Sequence, residues 1–141
     1  GYFWPFPHSQ LYAETRRLES AGFVDTETES HGRRRKTLKL SDSGRVHLRA
    51  FTSRADDAAS EIRDIGLLKL FVFDPGDTDG IVALAMRQRA LHDSRLAEYE
   101  SLAEGFDGDH SPGRHTLHLG LAYERVAIEF WDSVIDEFAE N

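Results

Sequence analysis

The chain has 141 residues, 40% hydrophobic and 30% charged, enough apolar side chain for one compact domain or two small ones. It has no cysteine, which excludes disulfides and thiolate metal sites and leaves nothing that points to an oxidising compartment. The formal net charge of -8 is unevenly spread: residues 1–54 carry ten Lys/Arg against six Asp/Glu, and residues 55–141 carry seven against nineteen. A basic piece joined to an acidic piece is more informative than the total. The most apolar stretch, Leu67 to Phe73, is interrupted by Lys69. It is far shorter than the roughly 20 residues a membrane span needs. The aromatic start lacks the basic n-region of a leader peptide, so a cytoplasmic protein without membrane contact is expected.

Residues 1–7 are aromatic and twice broken by proline, which steers the preceding residue away from helix. A helix is predicted from His8 or Ser9, with Leu11, Thr15, Leu18 and Gly22 on one face and Gly22 as its C-terminal cap. The period then shortens. Phe23 to Thr28 reads as a strand, Glu29 to Gly32 as a turn, and Arg33 to Leu40 as a basic return strand. Ser41 is a good N-cap for a helix through Val46, Leu48 and Phe51, and Asp42 suits that helix's positive end. Arg54 to Ser60 is a polar joint, giving expected domains of 1–54 and 55–141. Beyond it, Ile62 to Phe73 is predicted as a mostly buried helix, ended by Asp74-Pro75-Gly76-Asp77. A long helix follows from about Thr78 to Ala103. Its stripe of Leu84, Leu91, Leu96, Tyr99 and Leu102 is interrupted by Gln88 and Arg95. Gly105 to Gly113 reads as a loop, and a last helix runs from about Thr116 to Glu140. The expected fold is mainly α with a small β-hairpin wing: a partial winged helix-turn-helix, then a C-terminal helical dimerisation domain.

Helix, hairpin and capped helix in this order make the second half of a winged helix. A helix fits the major groove, where each base pair shows a distinct donor and acceptor pattern, and a basic hairpin beside it can reach phosphates. Here the hairpin carries His31-Gly32-Arg33-Arg34-Arg35-Lys36. Four adjacent cations are costly to crowd unless solvated or paired with an anion.

Several stretches resemble the PadR family of transcriptional regulators. Ser9 to Val24 is similar to the family's recognition helix, with its tyrosine (Tyr12), its Arg-Leu-Glu (Arg17-Leu18-Glu19) and its glycine (Gly22). Gly32-Arg33-Arg34-Arg35-Lys36 and Leu38-Lys39-Leu40-Ser41-Asp42-Ser43-Gly44-Arg45 resemble its wing and the turn after it. Ile62-Arg63-Asp64 with Leu67-Leu68-Lys69-Leu70, and Gly120-Leu121-Ala122-Tyr123-Glu124-Arg125, resemble the Vir-like C-terminal domain of the longer members. In the family pattern two further helices precede the recognition helix. The sequence starts after them, so the resemblance implies a winged helix lacking its first helices. Tyr2, Phe3, Trp4 and Phe6 would then expose surface that those helices cover.

The resemblance implies a homodimeric repressor that binds double-stranded DNA at a palindromic operator. Its Tyr12 would contact the DNA backbone, with partly exposed packing as the alternative. His8, Ser9 and Gln10 lie on the first turn, where recognition helices touch bases, and Gln10 could pair with adenine. Ser9 could equally be a plain N-cap. Arg16 and Arg17 lie about 100° apart on a helix, so one suits phosphate and the other a surface ion pair. The DNA-facing set is completed by His31, Arg33, Arg34, Arg35 and Lys36 of the wing. An alternative keeps the winged helix as a protein–protein module without operator specificity, its basic wing meeting an acidic partner.

The last helix concentrates its charge on Arg125, Glu129, Asp132, Asp136 and Glu140 and is apolar nearly everywhere else. An apolar surface that wide suggests packing within the chain on one side and against a second copy on another. Tyr123, Val126, Ala127, Phe130, Trp131, Val134 and Phe138 are the expected dimer interface. Trp131, Phe130 and Tyr123 could also line a pocket for a small aromatic effector, as the resemblance permits, or form ordinary aromatic core. His115 and His118 are three residues apart, but no carboxylate stands at convincing spacing, so no metal is expected. No phosphate loop, nucleophile elbow or acid–base carboxylate pair appears, so no cofactor and no enzymatic activity are expected. An enzyme or metal protein built on the histidines is the remaining rival.

Overall fold

The structure is a computed structural model and describes residues 7–28, 36–55, 62–106 and 111–140. The aromatic lead-in (Tyr2, Phe3, Trp4, Phe6), the hairpin turn with His31 and Gly32, and the cations Arg33, Arg34 and Arg35 lie outside the described residues. The element order is α1 (His8–Ser20), β1 (Val24–Thr28), β2 (Lys36–Leu40), α2 (Asp42–Thr52), α3 (Ile65–Phe71), α4 (Thr78–Glu104) and α5 (Pro112–Ala139). The chain forms two compact units, Gly1–Ser60 and Glu61–Asn141.

In the first unit α1 ends in a Schellman turn. Phe23 N–H donates to the Leu18 carbonyl at 2.9 Å and Gly22 N–H to the Glu19 carbonyl at 3.0 Å. Gly22 sits at φ 72°, the left-handed region that a Cβ disfavours. β1 and β2 pair antiparallel, Val24 opposite Leu40 and Thr28 opposite Lys36. Ser41 caps α2: its Oγ accepts from Gly44 N–H at 3.0 Å and donates to the Gly22 carbonyl at 2.6 Å. Ser43 Oγ donates to the same carbonyl at 2.8 Å. The start of α2 is thus tied to the end of α1 through hydrogen bonds, with the Phe23 and His47 rings stacked at 4.5 Å beside them. The apolar face of α1 is not covered by the described residues. Leu11 and Leu18 stay exposed, and a cleft of about 360 Å³ opens between Leu18, Phe23, Leu40, His47, Leu48 and Phe51.

The second unit is built on α4 and α5, packed antiparallel. Ile81, Ala85, Trp131 and Val134 form its buried centre, with Leu70, Phe73, Ile135 and Phe138 around them. Trp131 is 1% exposed, the largest side chain so enclosed among the described residues. Tyr99 lies against α5 where Gly120 leaves room; a Cβ on Gly120 would stand 2.9 Å from the ring. Arg89 to Asp132 at 2.9 Å and Arg125 to Glu100 at 3.0 Å tie the rim.

Three expectations need correction. The segment Ile62–Phe73 is not a mostly buried helix. α3 has only seven residues and is capped by Asp64, whose carboxylate accepts from Gly66 and Leu67 N–H. Of its side chains Ile65, Leu68 and Phe71 are exposed, Phe71 at 88%. A run of apolar residues reports hydrophobicity but not coverage, and among the described residues this two-turn helix packs chiefly on α4. On α4 the buried positions are Ile81, Leu84, Ala85, His92 and Tyr99, whereas Leu91 points outward. At Leu91 and His92 the buried stripe runs one residue off the leucine, because the tertiary partner chooses the face. α5 begins at Pro112, not Thr116, since proline at the first helical position suits the fixed φ and costs no helical N–H bond.

Candidate nucleic-acid interface and effector cavity

α1 presents its polar residues to solvent. Ser9, Gln10, Tyr12, Arg16 and Arg17 are all exposed. Pro7, not Ser9, occupies the N-cap position, and no side chain caps the helix. Ser9 and Gln10 are therefore inside the first turn, beside N–H groups that have no intrahelical acceptor. A helix start of this kind is suited to phosphate and base edges. Arg17 leans on Glu14 at 3.4 Å, whereas Arg16 forms no ion pair among the described residues. Of the two arginines, Arg17 takes the surface ion-pair role. Lys36 opens β2 with its side chain in solvent. Lys39, by contrast, is paired with Glu27 across the hairpin at 2.7 Å. His8 lies on the first turn of α1 by its backbone.

In the second unit the residues expected at a partner interface divide. Trp131 and Val134 are consumed by the chain's own core, and Phe138 packs against it. Tyr123, Val126 and Phe130 face outward together with Leu119, Val126 at 64% exposure. These four positions, spaced four, three and four apart, form one apolar stripe along α5.

The stripe borders a cavity of about 260 Å³. Its walls are Leu67, Val126, Ala127, Phe130 and Trp131, and its polar groups are Asp64, His92 and Tyr123. Phe130 and Trp131 meet edge to face at 5.0 Å. His92 and Glu124 form a buried pair behind it, Nδ1 to Oε2 at 2.5 Å, both side chains 4% exposed. The Tyr123 hydroxyl is held above its usual pKa by burial first, then by the charges of Asp64 and Glu124, with Arg95 opposing least. The sequence-level expectation did bring Tyr123, Phe130 and Trp131 together in one cavity. It missed His92, Asp64 and Glu124. The one signal for His92 was its place in the helical series 81, 85, 88, 92, 99; Glu124 was hidden beside the charged Arg125. Among the described residues no group of three or more His, Asp or Glu side chains could hold a metal ion, and no helix is long and apolar enough to cross a membrane.

Comparison with known proteins matches both units. Residues 62–139 match the family described as virulence activator alpha C-term, and residues 1–50 match the transcriptional regulator PadR-like family. The chain belongs to the PadR-like family of transcriptional regulators. The negative transcriptional regulator PadR of Bacillus subtilis (strain 168) is 32% identical over 73 residues. That stretch spans 50% of this chain and 40% of the relative's own length. The fold is that of the solved PadR winged-helix proteins. The structure of B. subtilis PadR in complex with operator DNA superposes with a TM-score of 0.78 at 24% identity, covering 98% of this chain and 83% of that one. The PadR-like transcriptional regulator of Bacillus cereus gives 0.82 at 16%, covering 99% and 81%. B. subtilis PadR in complex with p-coumaric acid gives 0.73 at 22%, covering 97% and 81%.

Proposed function

We propose that this PadR-like regulator is a homodimeric repressor that binds a palindromic operator and releases it when a small aromatic effector enters the cavity of the second unit. The observation that carries the reading is the uncapped first turn of α1. Its polar residues stand in solvent, with Tyr12 and Arg16 further along the same helix and no ion pair among the described residues claiming Arg16. Ser9 and Gln10 read base edges, Tyr12 and Arg16 hold phosphates, and the wing with Arg33, Arg34, Arg35 and Lys36 adds charge that displaces counterions. The apolar stripe of Leu119, Tyr123, Val126 and Phe130 is the partner-facing surface, since exposed rows of this kind mark association surfaces. A twofold dimer matches a twofold operator. The complexes of the B. subtilis relative, with operator DNA and with p-coumaric acid, support both halves of the reading. The cell compartment for such a protein is the cytoplasm.

The test is binding to fragments of the promoter upstream of its own coding sequence, intact and with one half-site scrambled, at several salt concentrations. The expected result is palindrome-dependent binding whose affinity falls steeply with salt. Equal affinity for intact and scrambled DNA would move the reading to a winged-helix module that meets an acidic protein partner.

A further inference from the structure

We propose that the cavity over Trp131 takes an aromatic ligand that is neutral or cationic and donates a hydrogen bond, a phenol or an arylalkylamine, and that it turns away aromatic carboxylates. The inference rests on the effector reading of this cavity, and it narrows the chemistry. The shape comes first. A space of about 260 Å³ walled by Phe130, Trp131, Leu67 and Val126 accepts one ring with a short tail; a cavity of ~150 Å³ already holds benzene.

Charge then selects among such rings. Asp64 lies on the wall, and Glu124 stands directly behind His92. Tyr123 shares that wall, and its hydroxyl is held above its usual pKa by burial first and then by these two carboxylates, with Arg95 opposing them least. A ligand carboxylate placed beside that hydroxyl meets the same field and also loses its hydration. Residues 55–141 carry seven Lys/Arg against nineteen Asp/Glu, so the surroundings reinforce the sign.

Hydrogen bonding points the same way. The Asp64 carboxylate on the wall accepts hydrogen bonds and donates none, and the Tyr123 hydroxyl accepts as well as donates. Asp64 and Tyr123 thus bring a carboxylate and a hydroxyl to the cavity wall. They complement a ligand O–H or N–H. The acid bound by the B. subtilis relative carries the opposite sign from the one this cavity favours.

The test is calorimetric titration of the full chain, without DNA, with three single-ring probes of different charge: para-ethylphenol, tyramine and para-hydroxyphenylacetate. The phenol and the amine should bind at least about tenfold tighter than the acetate. Asp64→Asn keeps an N-cap side chain for α3 and removes its charge, so it should narrow the gap between amine and acetate. Tyr123→Phe keeps the ring on the α5 stripe and removes only the hydroxyl, so it should weaken all three probes while sedimentation shows the same assembly as the parent chain. Acetate binding as tight as tyramine, no binding by any probe, or a gap untouched by Asp64→Asn would each overturn the proposal. Tight binding of tyramine with no effect on operator affinity would support the ligand class while removing the effector reading.

Discussion

Gly44 packs directly under the carbonyl of Phe23, so closely that a Cβ on Gly44 would overlap that oxygen and touch the Leu40 side chain at 3.2 Å. The same carbonyl accepts from Ser41 N–H at 3.1 Å. One backbone contact therefore holds the end of α1, the edge of β2 and the start of α2 together. Gly44→Ala should destabilise the first unit by about 1–3 kcal/mol or more, because neither rigid backbone can yield. Hydrogen exchange resolved by residue should show faster exchange in α1, β1 and β2 and unchanged protection in α4 and α5. Uniform protection throughout would show that the contact is dispensable.

On the proposed function, the wing should supply charge rather than sequence reading. Arg34→Ala with Arg35→Ala should weaken binding to all DNA sequences alike. The dependence of log K on log salt should flatten by about 0.9 for each phosphate that the wing no longer neutralises. A titration series in salt checks it. An unchanged slope would remove the wing from the interface.

Gln10 is expected to behave in the opposite way. Gln10→Ala should cost about 1–3 kcal/mol at one operator base pair, with competitor DNA bound as before. Competition between operator and single-base variants measures the effect, and equal losses on every sequence would make Gln10 a backbone contact.

The two faces of α5 should respond differently to mutation. Val126→Glu lies on the exposed stripe, so it should leave the helical content intact and shift the dimer–monomer equilibrium toward monomer in sedimentation experiments. Trp131→Ala removes the largest fully enclosed side chain among the described residues and should cost about 3–5 kcal/mol in denaturant melts. A monomeric Trp131→Ala chain of normal stability would reverse the assignment of the two faces.

Glu124→Leu should cost about 1–3 kcal/mol by leaving Nδ1 of His92 buried without its hydrogen-bond partner. The double variant with His92→Leu should recover part of that loss, since two apolar groups leave nothing unsatisfied. A double-mutant cycle in urea reads the coupling, and strict additivity would show that the pair contributes nothing to stability.

Much of the architecture is legible in the sequence because it is written in short-range rules. Gly22 closes α1, Ser41 caps α2, Asp74-Pro75-Gly76-Asp77 separates α3 from α4, and alternation marks the hairpin. Each is a local steric or hydrogen-bonding preference that acts within four residues. The charge division between the halves and the basic wing are likewise properties of composition. The separation of Arg16 and Arg17 by about 100° could be stated from helical spacing, whereas the ion pair of Arg17 with Glu14 is seen only in the structure.

What the sequence determined by itself was therefore the order of elements, their caps, the basic character of the wing and the resemblance to the PadR family. The tertiary structure decided which face each helix buries. Leu91 is exposed and His92 buried, Glu124 is drawn inside while Val126 stays out, and the apolar α3 remains largely uncovered. The physical reason is that burial is a property of a pair of surfaces. A helix states how hydrophobic each of its faces is, but the helix packed against it determines which face loses water, and a buried polar group becomes tolerable only when its partner, here His92 for Glu124, arrives from another element.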